Sequence, residues 1–243
     1  MLKNSISKSI NFLDKPLWTP SRKLAKETVY EDISGYKISC DKGLPTSIDN
    51  DILNFLLFQQ QRDNSKEITF KNISKLLNGL EYSHNPRMYN YVLTALERWK
   101  NTKIVFNEFY FGNGVKSDYK LDYILDYKFD FKSLHITFNK KFLSVNKESN
   151  YKSRIYLPYF STLTPFSKRL YEILSKSFLF KHKFYISNEI LKKKMIMESL
   201  FFSKIKNTLL EINTKATNLN LKMGKFSVTK TENETLLFNK QKS

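Results

Sequence analysis

Cysteine is nearly missing from this chain: Cys40 stands alone in 243 residues, alongside only 6 glycines and 6 prolines. One thiol excludes an intrachain disulfide framework and a cysteine-based zinc site, and it fits a free thiol in a reducing compartment. No apolar run approaches the ~18 residues of a membrane-spanning helix, and the N-terminus lacks an apolar signal core. A cytoplasmic protein without membrane contact is expected. Histidine is scarce too, and His84, His135 and His182 are scattered singly. The His-hydrophobe-His metal pair that DNA-nicking enzymes place beside a nucleophilic tyrosine is absent from the sequence. So few glycines include no phosphate-binding loop, which argues against ATP hydrolysis. Nor is there a serine or cysteine nucleophile-base pattern. No catalytic residue, metal site or cofactor is expected.

Positive charge, by contrast, is abundant. The net charge is +18, and residues 151–243 hold 18 Lys/Arg against 6 Glu and no Asp. That last third carries +12, while residues 1–150 carry 23 basic and 17 acidic residues, net +6. A basic surface concentrated in this way implies a polyanionic partner, because each neutralised phosphate releases condensed counterions. Hydrophobic residues at 41% and aromatics at 15% are ample for packed cores.

The basic third has a readable element order. Pro165 opens a helical pattern with Phe166, Leu170, Ile173 and Leu174 on one stripe. Phe184 to Ile186 is β-rich, and Ser187 is a candidate N-cap for a helix over Asn188 to Lys194. After a turn near Ile196 and Met197, Phe201, Ile205, Leu209 and Ile212 recur at helical spacing. Leu219, Leu221 and Met223 then alternate with polar residues, and Gly224-Lys225 reads as a hairpin turn before Phe226 to Val228. Helix, strand, helix, turn, helix and hairpin is the order of a helix-turn-helix with a β-wing.

An equivalent order precedes it. Thr46 is a candidate N-cap for a helix through Ile52, Phe55 and Leu56, with Asp49 and Asp51 at its positive end. Phe70, Ile73 and Leu77 mark a short second helix, and Asn85-Pro86 starts a third through Val92, Leu96 and Trp99. Lys103 to Phe111 is β-rich, and Gly112-Asn113-Gly114 signals a loop. Alternating apolar residues from Tyr119 to Phe131 predict one strand, and Leu134 to Phe138 another. The expected fold class is therefore α+β, with two tandem winged-helix domains. A flexible N-terminal arm would span 1–42, a first domain 43–150 and a second, DNA-binding domain 151–243. The polar run Asn146 to Arg154 would join the two domains.

Gly43-Leu44-Pro45-Thr46-Ser47-Ile48-Asp49-Asn50-Asp51-Ile52-Leu53 resembles the first-helix signature of the replication initiator protein A family, in which Pro-Thr, Asp and Asp-Ile open the N-terminal winged helix. Leu163-Thr164-Pro165-Phe166-Ser167-Lys168-Arg169-Leu170-Tyr171 is similar to the segment that begins that family's next domain. The resemblance implies a plasmid-encoded, theta-type initiator that binds repeated sites in double-stranded origin DNA, without an active site. It also implies promoter repression by a homodimer and contact with host replication proteins.

Within that frame the candidate DNA-contacting residues fall into groups. Ser203, Lys204, Lys206 and Asn207 lie off the apolar stripe of the second helix of the basic third and face a major groove. Lys192, Lys193 and Lys194 on the preceding helix suit phosphates, and Lys222, Lys225 and Lys230 lie on the wing. Arg87, Tyr89, Asn90 and Arg98 form a possible second reading head on the third helix, although the balanced charge there equally suits assembly of two copies. Asp118, Asp122, Asp126 and Asp130 read as the solvent side of a strand, since side chains two pleats apart are ~13 Å distant and cannot share an ion. The expected function is a sequence-specific plasmid replication initiator. A transcriptional regulator is the alternative; a nuclease or relaxase and a protein-binding scaffold are rivals from other classes.

Overall fold

The computed structural model describes residues 4–32, 34–110, 116–130, 132–148, 152–221, 223–231 and 235–241. The N-terminal segment is not a loose arm. It forms β1 (Ser5–Ser9), α1 (Ile10–Asp14), a 3-10 turn at Leu24–Lys26, β2 (Val29–Glu31) and β3 (Lys37–Ser39). Ile6, Phe12, Leu13, Leu17 and Trp18 are at most 1% exposed. Too few for a core of their own, these hydrophobes are buried in two others: Phe12, Leu17 and Trp18 join the first body, Ile6 and Leu13 the second.

The first body continues with α2 (Ser47–Asp63), β4 (Glu67–Phe70), α3 (Ile73–Gly79) and α4 (Pro86–Asn101). Thr46 and Asp49 close a capping box on α2, and the Asn85 side chain accepts from the Met88 amide to start α4. Phe70, expected in a helix, lies in β4. Then follow β5 (Lys103–Tyr110), β6 (Lys116–Leu121), β7 (Leu125–Phe129), β8 (Leu134–Phe138) and α5 (Lys140–Glu148). The expected loop at 112–114 and Phe131 lie outside the described residues.

The alternating run from Tyr119 is two strands in two sheets, not one. β6 belongs to the sheet β2-β3-β5-β6, and β7 to the sheet β4-β8-β7. The register breaks where Ile124 is buried and Tyr123 is 41% exposed, reversing the expected faces. The backbone there is held by Trp99 and Asn139: the Ile124 amide donates to the Trp99 carbonyl at 3.1 Å, and Asn139 Nδ2 to the Tyr123 carbonyl at 2.9 Å. A period of two cannot reveal such a switch of sheet.

The second body comprises β9 (Lys152–Tyr156), α6 (Leu157–Thr162), α7 (Pro165–Ser177), β10 (Lys183–Ser187), α8 (Asn188–Met195), α9 (Phe202–Asn218), β11 (Phe226–Lys230) and β12 (Thr235–Lys240). The expected linker at 146–154 is largely α5 and β9, and β9 pairs antiparallel with β1 from Ser5↔Tyr156 to Ser9↔Lys152. The hairpin is also displaced. Leu221 and Met223 do not form a strand; the Leu221 amide instead folds back onto the Ala216 carbonyl of α9. β11 pairs with β12, giving the sheet order β10-β12-β11. That order repeats β4-β8-β7 of the first body: β4, between α2 and α3, and β10, between α7 and α8, each pair with the last strand of their body, which pairs with the penultimate one.

Candidate nucleic-acid interface

Ser187 caps α8 by accepting from the Ile190 amide at 3.2 Å. The chain leaves α8 through Ile196 in the left-handed region, φ 47°, and re-enters a helix at Phe202. Carbonyls at a helix end need donors, and distant residues supply them. Arg169 Nε donates to the Lys194 carbonyl at 2.9 Å, the Tyr30 hydroxyl to that of Lys193 at 2.7 Å, and Thr19 Oγ1 to that of Ile196 at 3.2 Å. The turn ahead of α9 is thus clamped by α7 and by the N-terminal segment.

α9 turns Ile205, Leu209, Ile212 and Ala216 inward. Ser203, Lys204, Lys206, Asn207, Leu210 and Thr214 are exposed, and Leu210 is 66% exposed. At 100° per residue, Ser203, Asn207, Leu210 and Thr214 fall within one narrow stripe, with Lys206 beside it. The ammonium of Lys204 sits 4.5 Å from the centre of the Phe166 ring, and that of Lys206 4.9 Å from Phe202. These contacts order two cations at the edge of the face.

Two contacts set how α9 is presented. Glu211 accepts from the Thr164 amide at 2.9 Å, and from the Ser167 hydroxyl and Lys215, binding α9 to the start of α7. Burial works against ionisation of Glu211, but Lys215, Ser167 and Thr164 hold its carboxyl down to about 2. Asn213 then ties α9 to the hairpin, donating to the Phe226 carbonyl at 2.8 Å and accepting from its amide at 2.9 Å. Lys225 and Lys230 are exposed at the two ends of β11, whereas Lys222 lies outside the described residues. Sequence alone missed Leu210 and Asn213, because Leu210 looks like one more core residue and Asn213 like one more solvated one.

Other candidates are committed elsewhere. Lys194 Nζ lies 2.5 Å from Asp14 Oδ1, and Lys176 is 2.9 Å from the same oxygen. Burial raises Asp14, but the two ammonium groups hold its carboxyl down to about 2. Lys194 is therefore a tether between α8 and α1, not a phosphate contact. Lys192 and Lys193 flank Glu189 at 3.5 and 3.6 Å and are about a third exposed. On α4, Arg98 Nη1 is 2.9 Å from Asp49 and Nε donates to the Lys42 carbonyl, which withdraws it from any reading role. The Tyr89 hydroxyl meets Ser74 Oγ. Arg87 and Asn90 are exposed, and Arg87 donates from Nη2 to the Tyr91 hydroxyl at 2.9 Å.

Three of the four aspartates of the alternating run have separate partners. Asp126 pairs with Lys100 at 2.8 Å, Asp130 accepts from the Ser133 amide at 2.6 Å, and Asp122 lies 3.9 Å from Lys120. Among the described residues, no three His, Cys, Asp or Glu side chains are grouped to hold a metal ion, and no helix is long and apolar enough to cross a membrane.

No family model matches the sequence, and no curated protein matches it. Solved structures do share the fold. A structure of domains 2 and 3 of RctB superposes with a TM-score of 0.62 over 96% of this chain and 98% of its own, at 12% identity. A second structure of RctB domains 2-3 gives a TM-score of 0.54 over 93% and 95%, at 11% identity. This chain has the fold of RctB domains 2 and 3 along nearly its whole length.

Proposed function

We propose that this protein is a sequence-specific DNA-binding replication initiator, built from two tandem winged-helix domains, that recognises repeated sites in a plasmid origin. The observation that carries the reading is the solvent-facing stripe of α9. It presents Ser203, Lys206 and Asn207 from a helix-turn-helix and hairpin in the part of the chain that holds +12 of the net charge. Asn pairs bidentately with adenine, Lys donates to guanine, and Lys204, Lys225 and Lys230 suit phosphates. The fold shared with RctB domains 2 and 3 is compatible with the reading. The two sequence motifs, which resemble those of the replication initiator protein A family, are in keeping with this reading. In this reading the protein performs no bond-breaking chemistry. Binding energy bends and opens the origin and recruits host replication proteins, while the first body contributes to assembly of two copies.

The test is binding to tiled fragments of the DNA flanking the gene, with excess random competitor, at low and moderate salt. Tight binding to a fragment with evenly spaced repeats, and replication of that fragment when the protein is supplied, is the expected result. A single palindromic promoter site would point to a transcriptional regulator. Equal binding everywhere, lost as salt rises, would sink the origin reading.

A further inference from the structure

Leu210 is out of place on the face where it stands. Its neighbours along the stripe of α9 are Lys206, Asn207 and Thr214, all exposed, and it is itself 66% exposed. The inward side of the helix is served by Ile205, Leu209, Ile212 and Ala216. A lone exposed leucine is ordinary on a protein surface. This one sits at the centre of the stripe that the proposed function turns towards DNA. In a major groove, the apolar group available to such a side chain is the C5-methyl of thymine, which only an A·T pair presents. Against a polar base edge the leucine would strip water from a donor or acceptor without replacing its hydrogen bond, which is costly.

Resting on that reading of α9, we propose that Leu210 is a specificity-determining residue that selects thymine by contact with its methyl group. Leu210 lies three residues beyond Asn207, about 4.5 Å along the helix axis at the usual rise. One base-pair step is about 3.4 Å. The thymine therefore falls within about two base pairs of the position read by Asn207, so the site combines an adenine with a neighbouring thymine. The same geometry gives Lys206 a different task, because an ammonium on the flank of the stripe gains nothing from a methyl group.

The experiment uses the full chain and the fragment it binds best, synthesised with deoxyuridine replacing each thymidine in turn. Deoxyuridine preserves pairing and removes only the methyl. For the unsubstituted protein, one or two positions should weaken binding about fourfold, the factor expected for one buried methyl-sized group. Leu210→Ala should bind the thymine and uracil sites equally, while Lys206→Ala should weaken both by the same factor and keep the fourfold ratio. Specific binding with no uracil-sensitive position would overturn the thymine contact and leave the initiator reading standing. An unchanged ratio in Leu210→Ala would do the same. If no fragment were preferred over competitor, the reading of α9 would fail and the thymine contact with it.

Discussion

Asp51 Oδ2 lies 2.6 Å from Lys168 Nζ, a pairing of the two sequence motifs, one at the start of α2 and the other at the start of α7. Asp51 also accepts from the Tyr82 hydroxyl at 3.2 Å. Burial pushes the Asp51 carboxyl up despite Lys168, so desolvation outweighs the attraction. A pair of this kind adds little net stability, yet each partner is costly to lose alone. Asp51→Asn leaves Lys168 as a buried uncompensated cation and should cost about 3 kcal/mol in urea denaturation. The double variant Asp51→Asn with Lys168→Met should recover most of that loss. Equal losses in the single and double variants would count against the contact.

The N-terminal segment should behave as part of the core. Lys8 Nζ is 2.9 Å from Glu172 Oε1, Arg169 Nη1 is 3.0 Å from Glu172 Oε2, and Trp18 donates its indole N–H to the same carboxylate at 3.1 Å. The ion-paired side chains are at most 1% exposed. Trp18→Ala empties a buried site and removes one donor, for an expected loss of about 3–5 kcal/mol. Deleting residues 1–20 should prevent folding of both bodies. A truncated chain that melts like the full one would mean that the segment is dispensable.

Acid should loosen the contacts of Asp14 and Glu211. Both carboxyls are held down to about 2 in the folded chain, below their unfolded values near 4. Groups depressed in this way contribute stability that is fully present above the unfolded pKa and lost as pH falls through the folded one. Asp49 and Asp51, which burial pushes up, slope the opposite way. The melting temperature of Asp14→Asn should therefore lie below that of the natural chain at pH 7, with the gap closing between about pH 4.5 and 2. A gap of constant size over that range would contradict the assignment.

How much of this was legible beforehand depended on the range of the interactions. The starts of α2, α4 and α8 follow from Thr46, Asn85-Pro86 and Ser187, because a cap acts within one turn. The N-terminal segment was opaque because Ile6, Phe12, Leu13 and Trp18 keep no period; each meets a surface made by other elements. β12 was missed because the run Leu219 to Met223, ahead of the Gly224-Lys225 turn signal, drew the hairpin several residues too early. Among the candidate contacts, Ser203, Lys206 and Asn207 are exposed as their helical phase requires. Lys194 looked equivalent in sequence, but its acidic partner is 180 residues away.

That difference between two lysines can be measured. Lys194 is tied to Asp14 and burial lowers its pKa despite that partner, whereas Lys206 is exposed beside Phe202. Lys194→Ala should lower stability and leave the salt dependence of DNA binding unchanged under conditions where the variant remains folded. Lys206→Ala should leave the melting temperature nearly unchanged and weaken DNA binding. If Lys206 meets a phosphate, the slope of log K against log salt should fall by about 1. If it meets guanine, discrimination at one base position should relax by about 1–3 kcal/mol. A Lys206→Ala protein that binds the preferred fragment with undiminished affinity, specificity and salt slope would remove Lys206 from the interface, whichever contact had been assigned to it.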